Sequence, residues 1–172
     1  MMKKRYLIYI LILGFVLVNT YIFYYTRMNR TAYIDNAVLF SKFNATTELE
    51  KKSKDELMYS YNQIDSLTKI LQALEMQFRK KPNEDLHMQY YYANRMKDSL
   101  SEIYQSKQAE LSQKIYKQVW GTLNEYIIEY GKKKGYRFIY GANGNGTIMY
   151  ASKGADITDD VLKFSNDKYR GK

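Results

Sequence analysis

The chain has 172 residues and a formal net charge of +9, with 27 basic and 18 acidic side chains. It has no cysteine, which excludes disulfides, thiol nucleophiles, thiolate metal sites and a lipidated N-terminal cysteine. The net positive charge favours acidic partners or an anionic surface. No nucleic-acid partner is predicted, because the charge is not gathered into a polybasic tract.

The first 26 residues are predicted to direct the chain out of the cytoplasm. A basic leader at residues 3–5 precedes an apolar run at residues 6–25, which is interrupted only by Asn19 and Thr20. About 20 helical residues span roughly 30 Å, the thickness of the hydrocarbon core of a bilayer. Tyrosines at both ends of the run favour an uncleaved transmembrane anchor, whereas residues 6–18 alone fit a cleaved signal peptide. Both alternatives predict an exported chain.

Two long helices are predicted over residues 41–133, and together they form an antiparallel coiled-coil hairpin. In the first, apolar residues recur every seven positions at Leu57, Ile64, Leu71 and Phe78, with Leu67 and Leu74 between them. The second helix carries two such registers, formed by Leu86, Ala93 and Leu100 and by Met96 and Ile103.

Pro82, the one proline of the chain, is predicted to form the tip of this hairpin. Proline has no backbone N–H and disfavours helical backbone at the residue before it, so the first helix should end by Lys81. Asn83, Glu84 and Asp85 supply a capping residue and negative charge for the start of the second helix.

The flanking residues 27–40 and 134–172 are predicted to form a small β body. Residues 32–36 read as a first strand, and residues 136–140 and 147–150 read as a β-hairpin around the turn sequence GANGNG. Residues 156–169 read as a closing helix with Thr158 as its N-cap. The predicted fold class is therefore α+β. Since three short strands and one helix cannot enclose a core, we expect the body to be completed by self-association.

No catalytic, cofactor or metal site is predicted. The glycines of GANGNG do not follow a phosphate-binding spacing. His87 is the only histidine and has no cysteine or second histidine to share a metal with. The chain is therefore not expected to be an enzyme.

Two groups of residues are candidates for binding. The first consists of methionines and tyrosines away from the helical seam, which offer adaptable contacts suited to many partners: Met58, Tyr61, Met88, Tyr90, Tyr91, Tyr92 and Tyr104. The second is a basic patch that could contact an anionic membrane surface or could simply stabilise a helix C-terminus: Lys132, Lys133, Lys134 and Arg137.

Both ends of the exported region resemble the Skp/OmpH family of periplasmic chaperones. The resemblance is carried by AYIDNAVLFSKF at residues 32–43 and by GYRFIYGANGNGTIMYASKGADITDDVLKF at residues 135–164, most of all by ADITDDVL at residues 155–162. It implies a homotrimer whose strands form a central body, with helical arms that enclose unfolded outer-membrane proteins without ATP. It also implies a periplasmic location, with tethering to the inner membrane if residues 6–25 are retained.

A second functional hypothesis remains open. A coiled-coil hairpin of this kind could instead belong to an envelope scaffold or tether that docks one fixed partner. Apolar side chains spread along both arms favour the chaperone, whereas a stripe limited to one face of one arm favours the scaffold.

Overall fold

The computed structural model describes residues 2–28, 30–146 and 148–171. Long helices dominate the chain, together with a small two-stranded sheet. The elements in chain order are α1 (Met2–Met28), β1 (Thr31–Asp35), α2 (Asn36–Lys42), α3 (Asn44–Lys80), α4 (Glu84–Lys134), β2 (Phe138–Ala142), a 3₁₀ turn (Lys153–Ala155) and α5 (Thr158–Tyr169). The prediction of an α+β chain with a helical hairpin is confirmed.

The chain divides into two compact units. We call residues 1–43 and 121–172 the body, and residues 44–120 the hairpin. The helix α4 contributes residues to both units.

Within the apolar run of α1, the side chains of Asn19 and Thr20 form hydrogen bonds with the helix backbone. The Asn19 amide donates to the carbonyl of Phe15 (2.8 Å), and the Thr20 hydroxyl donates to the carbonyl of Val16 (2.6 Å). The predicted transmembrane anchor is nevertheless not confirmed. Within the part of the chain that is described, no helix combines the length and the apolar character needed to cross a membrane.

The sheet differs from the predicted one. The strands β1 and β2 pair in parallel, with Thr31 opposite Phe138 and Asp35 opposite Ala142. The predicted β-hairpin is wrong: Gly141 and Ala142 belong to β2, and residues 148–150 are irregular, while Thr147 lies outside the described residues. Gly144 and Gly146 do have positive φ angles, of 69° and 87°, so this segment turns as its glycines predict, but residues 148–150, which the structure describes, form no return strand.

The helix predicted to begin near Ser41 is interrupted at Phe43. Its backbone is extended (φ −71°, ψ 131°), its N–H donates to the carbonyl of Leu39, and its fully buried ring packs edge-on against Tyr126 and Tyr169. The gain from burying this ring explains why the helix breaks at a residue that is neither glycine nor proline. Further buried apolar residues of the body are Ala32, Ile34, Leu39, Leu123, Tyr130, Ile157 and Val161.

The end of α4 is a Schellman motif. The N–H of Tyr136 donates to the carbonyl of Gly131 (2.9 Å), and the N–H of Gly135 donates to the carbonyl of Lys132 (3.3 Å). Gly135 adopts a φ of 72°, which its missing Cβ allows. The motif reverses the chain, so that β2 can pair with β1.

Candidate functional site

The hairpin buries little of its apolar surface. Along its predicted seam, Leu57 and Leu71 are buried, whereas Ile64, Leu67 and Leu100 are only half-buried. Met96 and Ile103 were predicted to lie on the seam, and this is wrong: 63% and 61% of their surface is exposed. The α4 seam instead runs through Leu100, Tyr104 and Leu111, since Tyr104 is half-buried and Leu111 is buried.

Two apolar grooves lie between α3 and α4. Groove 1 has a volume of about 620 Å³, and its apolar lining comes from Leu57, Met58, Tyr61, Tyr104 and Ile115. Groove 2 has a volume of about 770 Å³, and its apolar lining comes from Tyr59, Leu67, Ile70, Met96, Leu100 and Ile103.

The grooves lie on opposite sides of the seam. On α3, groove 1 is lined at positions 50, 54, 57 and 61, and groove 2 at positions 59, 63, 66 and 70. Each set follows the three-to-four-residue spacing of one helix face, and a shift of two residues rotates a helix by about 200°. The hairpin therefore presents apolar side chains on both flanks.

The polar lining differs between the grooves. Groove 1 includes Glu50 and Lys54, whereas the one charged side chain among the described lining residues of groove 2 is Arg95. The other polar groups of groove 2 are neutral; for example, the Gln63 amide donates to the hydroxyl of Tyr59 (2.7 Å). Groove 2 thus combines exposed apolar side chains with neutral hydrogen-bonding groups.

The tip of the hairpin holds a third and smaller cavity of about 210 Å³. Its lining includes Leu74, Phe78, Leu86 and Tyr90, and the ring of His87 lies 6.3 Å from that of Phe78. The break around Pro82 is confirmed, because α3 ends at Lys80 and α4 begins at Glu84. As predicted for a capping residue, the Asn83 side chain accepts a hydrogen bond from the N–H of Asp85 (3.0 Å).

The seven candidate side chains for partner contacts do not form a single site. Met58, Tyr61 and Tyr104 lie together in groove 1, and Tyr90 lines the tip cavity. The remaining three are exposed on α4, where the rings of Tyr91 and Tyr92 meet edge-on at 5.6 Å and Met88 lies nearby in sequence. Groove 2 was not predicted from the sequence. A seam traced back from Leu111 through Tyr104 and Leu100, in alternating steps of three and four residues, would have left Met96 and Ile103 outside it.

A second exposed apolar region lies in the body. Phe138 and Tyr140 of β2 are about half exposed and stack on each other at 6.0 Å. Met149 and Tyr150, in the irregular segment that follows, each expose 88% of their surface. Among the described residues β2 pairs only with β1, so its other edge has no strand partner.

The string ADITDDVL joins α5 to β1 through a hydrogen-bond network. Asp156 Oδ1 accepts from both the N–H and the hydroxyl of Thr158 (2.9 and 2.6 Å), and the Thr158 oxygen accepts from the N–H of Asp35 (2.8 Å). Hydrogen bonding from the Thr158 hydroxyl lowers the pKa of Asp156 below its usual value. Thr158 was predicted to be the N-cap of α5, and this is wrong: it is the first helical residue, and Asp156 accepts its N–H.

The four basic candidates lie where α4 ends and β2 begins, and all four are exposed. Three of them lie over aromatic rings, namely Lys133 over Phe164 (5.6 Å), Lys134 over Tyr130 (6.0 Å) and Arg137 over Phe138 (5.5 Å). The pair of Lys133 and Phe164 could not be predicted, because these residues are distant along the chain, whereas the other two pairs are local.

The described residues contain no group of three or more histidine, aspartate or glutamate side chains that could hold a metal ion. A search of curated proteins found no match to the chain.

A protein-family comparison does match the chain. Residues 30–164 match the family described as outer membrane protein (OmpH-like), and this range includes β1, the whole hairpin, β2 and most of α5. At the level of the family, OmpH-like proteins are periplasmic chaperones that bind unfolded outer-membrane proteins, and they are not enzymes. The chain belongs to the OmpH-like family.

Proposed function

We propose that this protein is a holdase that keeps unfolded outer-membrane proteins from aggregating in the periplasm without using ATP. Exposed apolar side chains on both flanks of the hairpin, in grooves 1 and 2, are the observation that carries this proposal. An unfolded β-barrel protein exposes apolar segments and unpaired strand edges, which aggregate. Many weak contacts from methionine and tyrosine would shield such segments and still allow release.

The charge of the hairpin supports contacts that are mainly apolar. Residues 44–120 carry 12 basic and 11 acidic side chains, so this unit is almost neutral. We therefore expect client binding to depend only weakly on salt, because screening acts on charge interactions and not on apolar burial.

We further propose that three copies associate through the body and hold the client between their hairpins. The open edge of β2 and the exposed Phe138, Tyr140, Met149 and Tyr150 support self-association. The number three comes from the resemblance to the family. Light scattering of the purified protein tests it, and a monomer at micromolar concentration would contradict self-association.

The scaffold hypothesis predicts an apolar stripe on one face of one arm. The described hairpin instead has apolar grooves on both sides of its seam, with contributions from both helices. This arrangement favours the holdase, because a fixed partner needs only one complementary face.

The same proposal includes export by residues 6–25. These residues would act as a cleaved signal peptide or as an anchor that tethers the protein to the inner membrane. The mass of the mature protein separates the alternatives, because cleavage removes the N-terminal segment and tethering retains it.

The decisive experiment replaces apolar groove residues with serine. We expect Met96→Ser with Ile103→Ser to weaken the suppression of aggregation when a urea-denatured outer-membrane β-barrel is diluted into the protein. The paired control, Gln105→Ser with Gln113→Ser on the same helix, should keep full activity, because neither residue lines groove 1 or groove 2. Helix content and assembly mass, measured for each variant, exclude unfolding as the cause. Wild-type protein that fails to suppress aggregation would refute the proposed function.

A further inference from the structure

Three cations of the body are connected through aromatic rings into one cluster. The Arg30 guanidinium lies 5.7 Å from the centre of the Tyr136 ring, which stacks on Tyr130 at 6.2 Å and 16°. Tyr130 in turn meets Phe164 edge-on at 5.4 Å. With Lys133 over Phe164 and Lys134 over Tyr130, these residues form what we call the basic aromatic cluster: Arg30, Tyr130, Lys133, Lys134, Tyr136 and Phe164.

The fold brings these residues together from three parts of the chain. The Schellman turn at Gly135 places Tyr136 next to the last turn of α4. The N–H of Arg137 then donates to the carbonyl of Arg30 (2.8 Å), which fixes the residue before β1 beside the residue before β2. The cluster is therefore a product of the tertiary fold and not only a run of lysines.

The positive charge of the cluster is not offset by ion pairs. Among the described residues, no carboxylate lies within ion-pair distance of Arg30, Lys132, Lys133 or Lys134. Asp160 is an acidic neighbour of the cluster and interacts with the hydroxyl of Tyr130. The pKa of Tyr130 is raised, first by burial and then by the negative charge of Asp160. Residues 30–43 and 121–172 of the body carry 11 basic and 7 acidic side chains, so most of the net charge outside the N-terminal segment lies here.

We propose that the basic aromatic cluster, together with Lys132 and Arg137, binds the surface of an anionic bilayer. Rings that solvent reaches accompany the cations, since Arg30 lies over Tyr136 and Lys133 lies over Phe164, and both of these aromatic residues are only half-buried. Cations interleaved with amphipathic rings suit the headgroup region, where lysine and arginine meet lipid phosphates and aromatic rings reach the acyl boundary. An acidic peptide would match the cations but would leave these rings without a partner. This inference does not depend on the holdase proposal.

The test is flotation of the full chain with vesicles of phosphatidylcholine alone or mixed with phosphatidylglycerol. Neutral vesicles measure any binding by the apolar residues 6–25, and the added affinity for anionic vesicles measures the cluster. The probe variant is Lys132→Gln/Lys133→Gln/Lys134→Gln. The control, Lys51→Gln/Lys52→Gln/Lys54→Gln, removes the same charge from a lysine-rich segment of the hairpin.

We expect wild type to prefer anionic vesicles at low salt and to lose this preference at molar salt. In the probe variant, the affinity for anionic vesicles should fall by on the order of 100-fold, since each lysine near an anionic surface raises the binding affinity roughly five-fold. The control variant should keep the preference. No preference in wild type, or equal losses in probe and control, would overturn the proposal.

A variant that keeps the positive charge separates the loss of charge from a loss of folding. Lys132→Arg/Lys133→Arg/Lys134→Arg should bind anionic vesicles as wild type does, because it keeps the positive charge. If the glutamine variant unfolds, the arginine variant decides the question. An arginine variant that keeps the wild-type melting temperature but no longer binds anionic vesicles would refute the proposal. Binding of wild type to a polyglutamate probe but not to anionic vesicles would also refute it, by showing an acidic protein segment to be the partner.

Discussion

The body and the hairpin use apolar residues in different ways. In the body, Leu39, Phe43 and Val161 are completely buried, and backbone groups are held by specific side chains such as Asp156. In the hairpin, much of the seam is half-buried, and large side chains such as Met96 and Tyr59 are mostly exposed. The body is thus built to adopt one arrangement, whereas the hairpin keeps apolar surface available. This difference is what a holdase needs, because its assembly must be specific while its client contacts must not be.

The largest expected effect comes from the core of the body. Phe43→Ala should lower the free energy of unfolding by about 3–5 kcal/mol, since it removes a completely buried ring and leaves a cavity. Hydrogen exchange read by mass spectrometry measures this effect separately for body and hairpin peptides. Phe78→Ala provides the comparison: its ring is 38% exposed, so it should cost only about 1 kcal/mol. Equal losses in the two variants would contradict the contrast between the units.

The next effect distinguishes Gly121, which lies within α4, from Gly135, which directly follows it. Gly135→Ala should destabilise the body by about 1–2 kcal/mol, because its φ of 72° is unfavourable for a residue with a Cβ. Gly121→Ala should stabilise the helix by roughly 0.5–1 kcal/mol, since a Cβ there meets nothing within 4 Å. Thermal unfolding followed by circular dichroism measures both. A stabilising Gly135→Ala would show that the Schellman motif is not formed.

The Asp156 network predicts a dependence of stability on pH. Because the folded state lowers the pKa of Asp156, its ionised form stabilises the body above its unfolded pKa, near 3.8. This contribution is lost as pH falls through the lower, folded pKa. Asp156→Asn should therefore cost about 1 kcal/mol at neutral pH and less in strong acid. Urea unfolding at a series of pH values checks this, and a cost that does not change with pH would contradict it.

The smallest effect concerns a buried hydroxyl in α5. Ser165 is completely buried, and among the described residues its Oγ has no hydrogen-bond partner. Ser165→Ala should be neutral or stabilise the body by up to about 1 kcal/mol, because it removes an unpaired polar group. Thr158→Ala is the matched control and should destabilise, since the Thr158 hydroxyl is hydrogen-bonded to both Asp156 and Asp35. Urea unfolding at neutral pH measures both, and a clear loss of stability in Ser165→Ala would reveal a partner for its hydroxyl.

The sequence predicted the parts of the fold that depend on neighbouring residues. The heptad spacing from Leu57 to Phe78 and the effect of Pro82 on backbone geometry are local, so both long helices and the tip between them were predicted. The break at Phe43 was missed, because it depends on a pocket formed by Tyr126 and Tyr169, which are distant along the chain. The parallel pairing of β1 with β2 was missed for a similar reason, since the turn residues of GANGNG indicated a local hairpin.

The candidate site was predicted only in part. The residue types of Met58 and Tyr61 indicated adaptable contacts, and the structure places both in groove 1. Assigning Met96 and Ile103 to the seam hid groove 2, because a strict seven-residue repeat does not show where a helix drifts relative to its partner. The contact of Lys133 with the Phe164 ring depends on tertiary packing and leaves no pattern in the sequence, whereas Lys134 and Tyr130 are four residues apart on α4 and so lie on one face of that helix.

Site-specific photo-crosslinking to an unfolded client shows whether the hairpin grooves hold the client. A photoreactive residue is placed at Ile103 in groove 2, at Met58 in groove 1, or at the exposed Lys163 of the body. After addition of a urea-denatured outer-membrane β-barrel, we expect strong crosslinks from both hairpin positions and none from Lys163. Crosslinks from Lys163 alone, or from no position, would contradict the proposed holdase function.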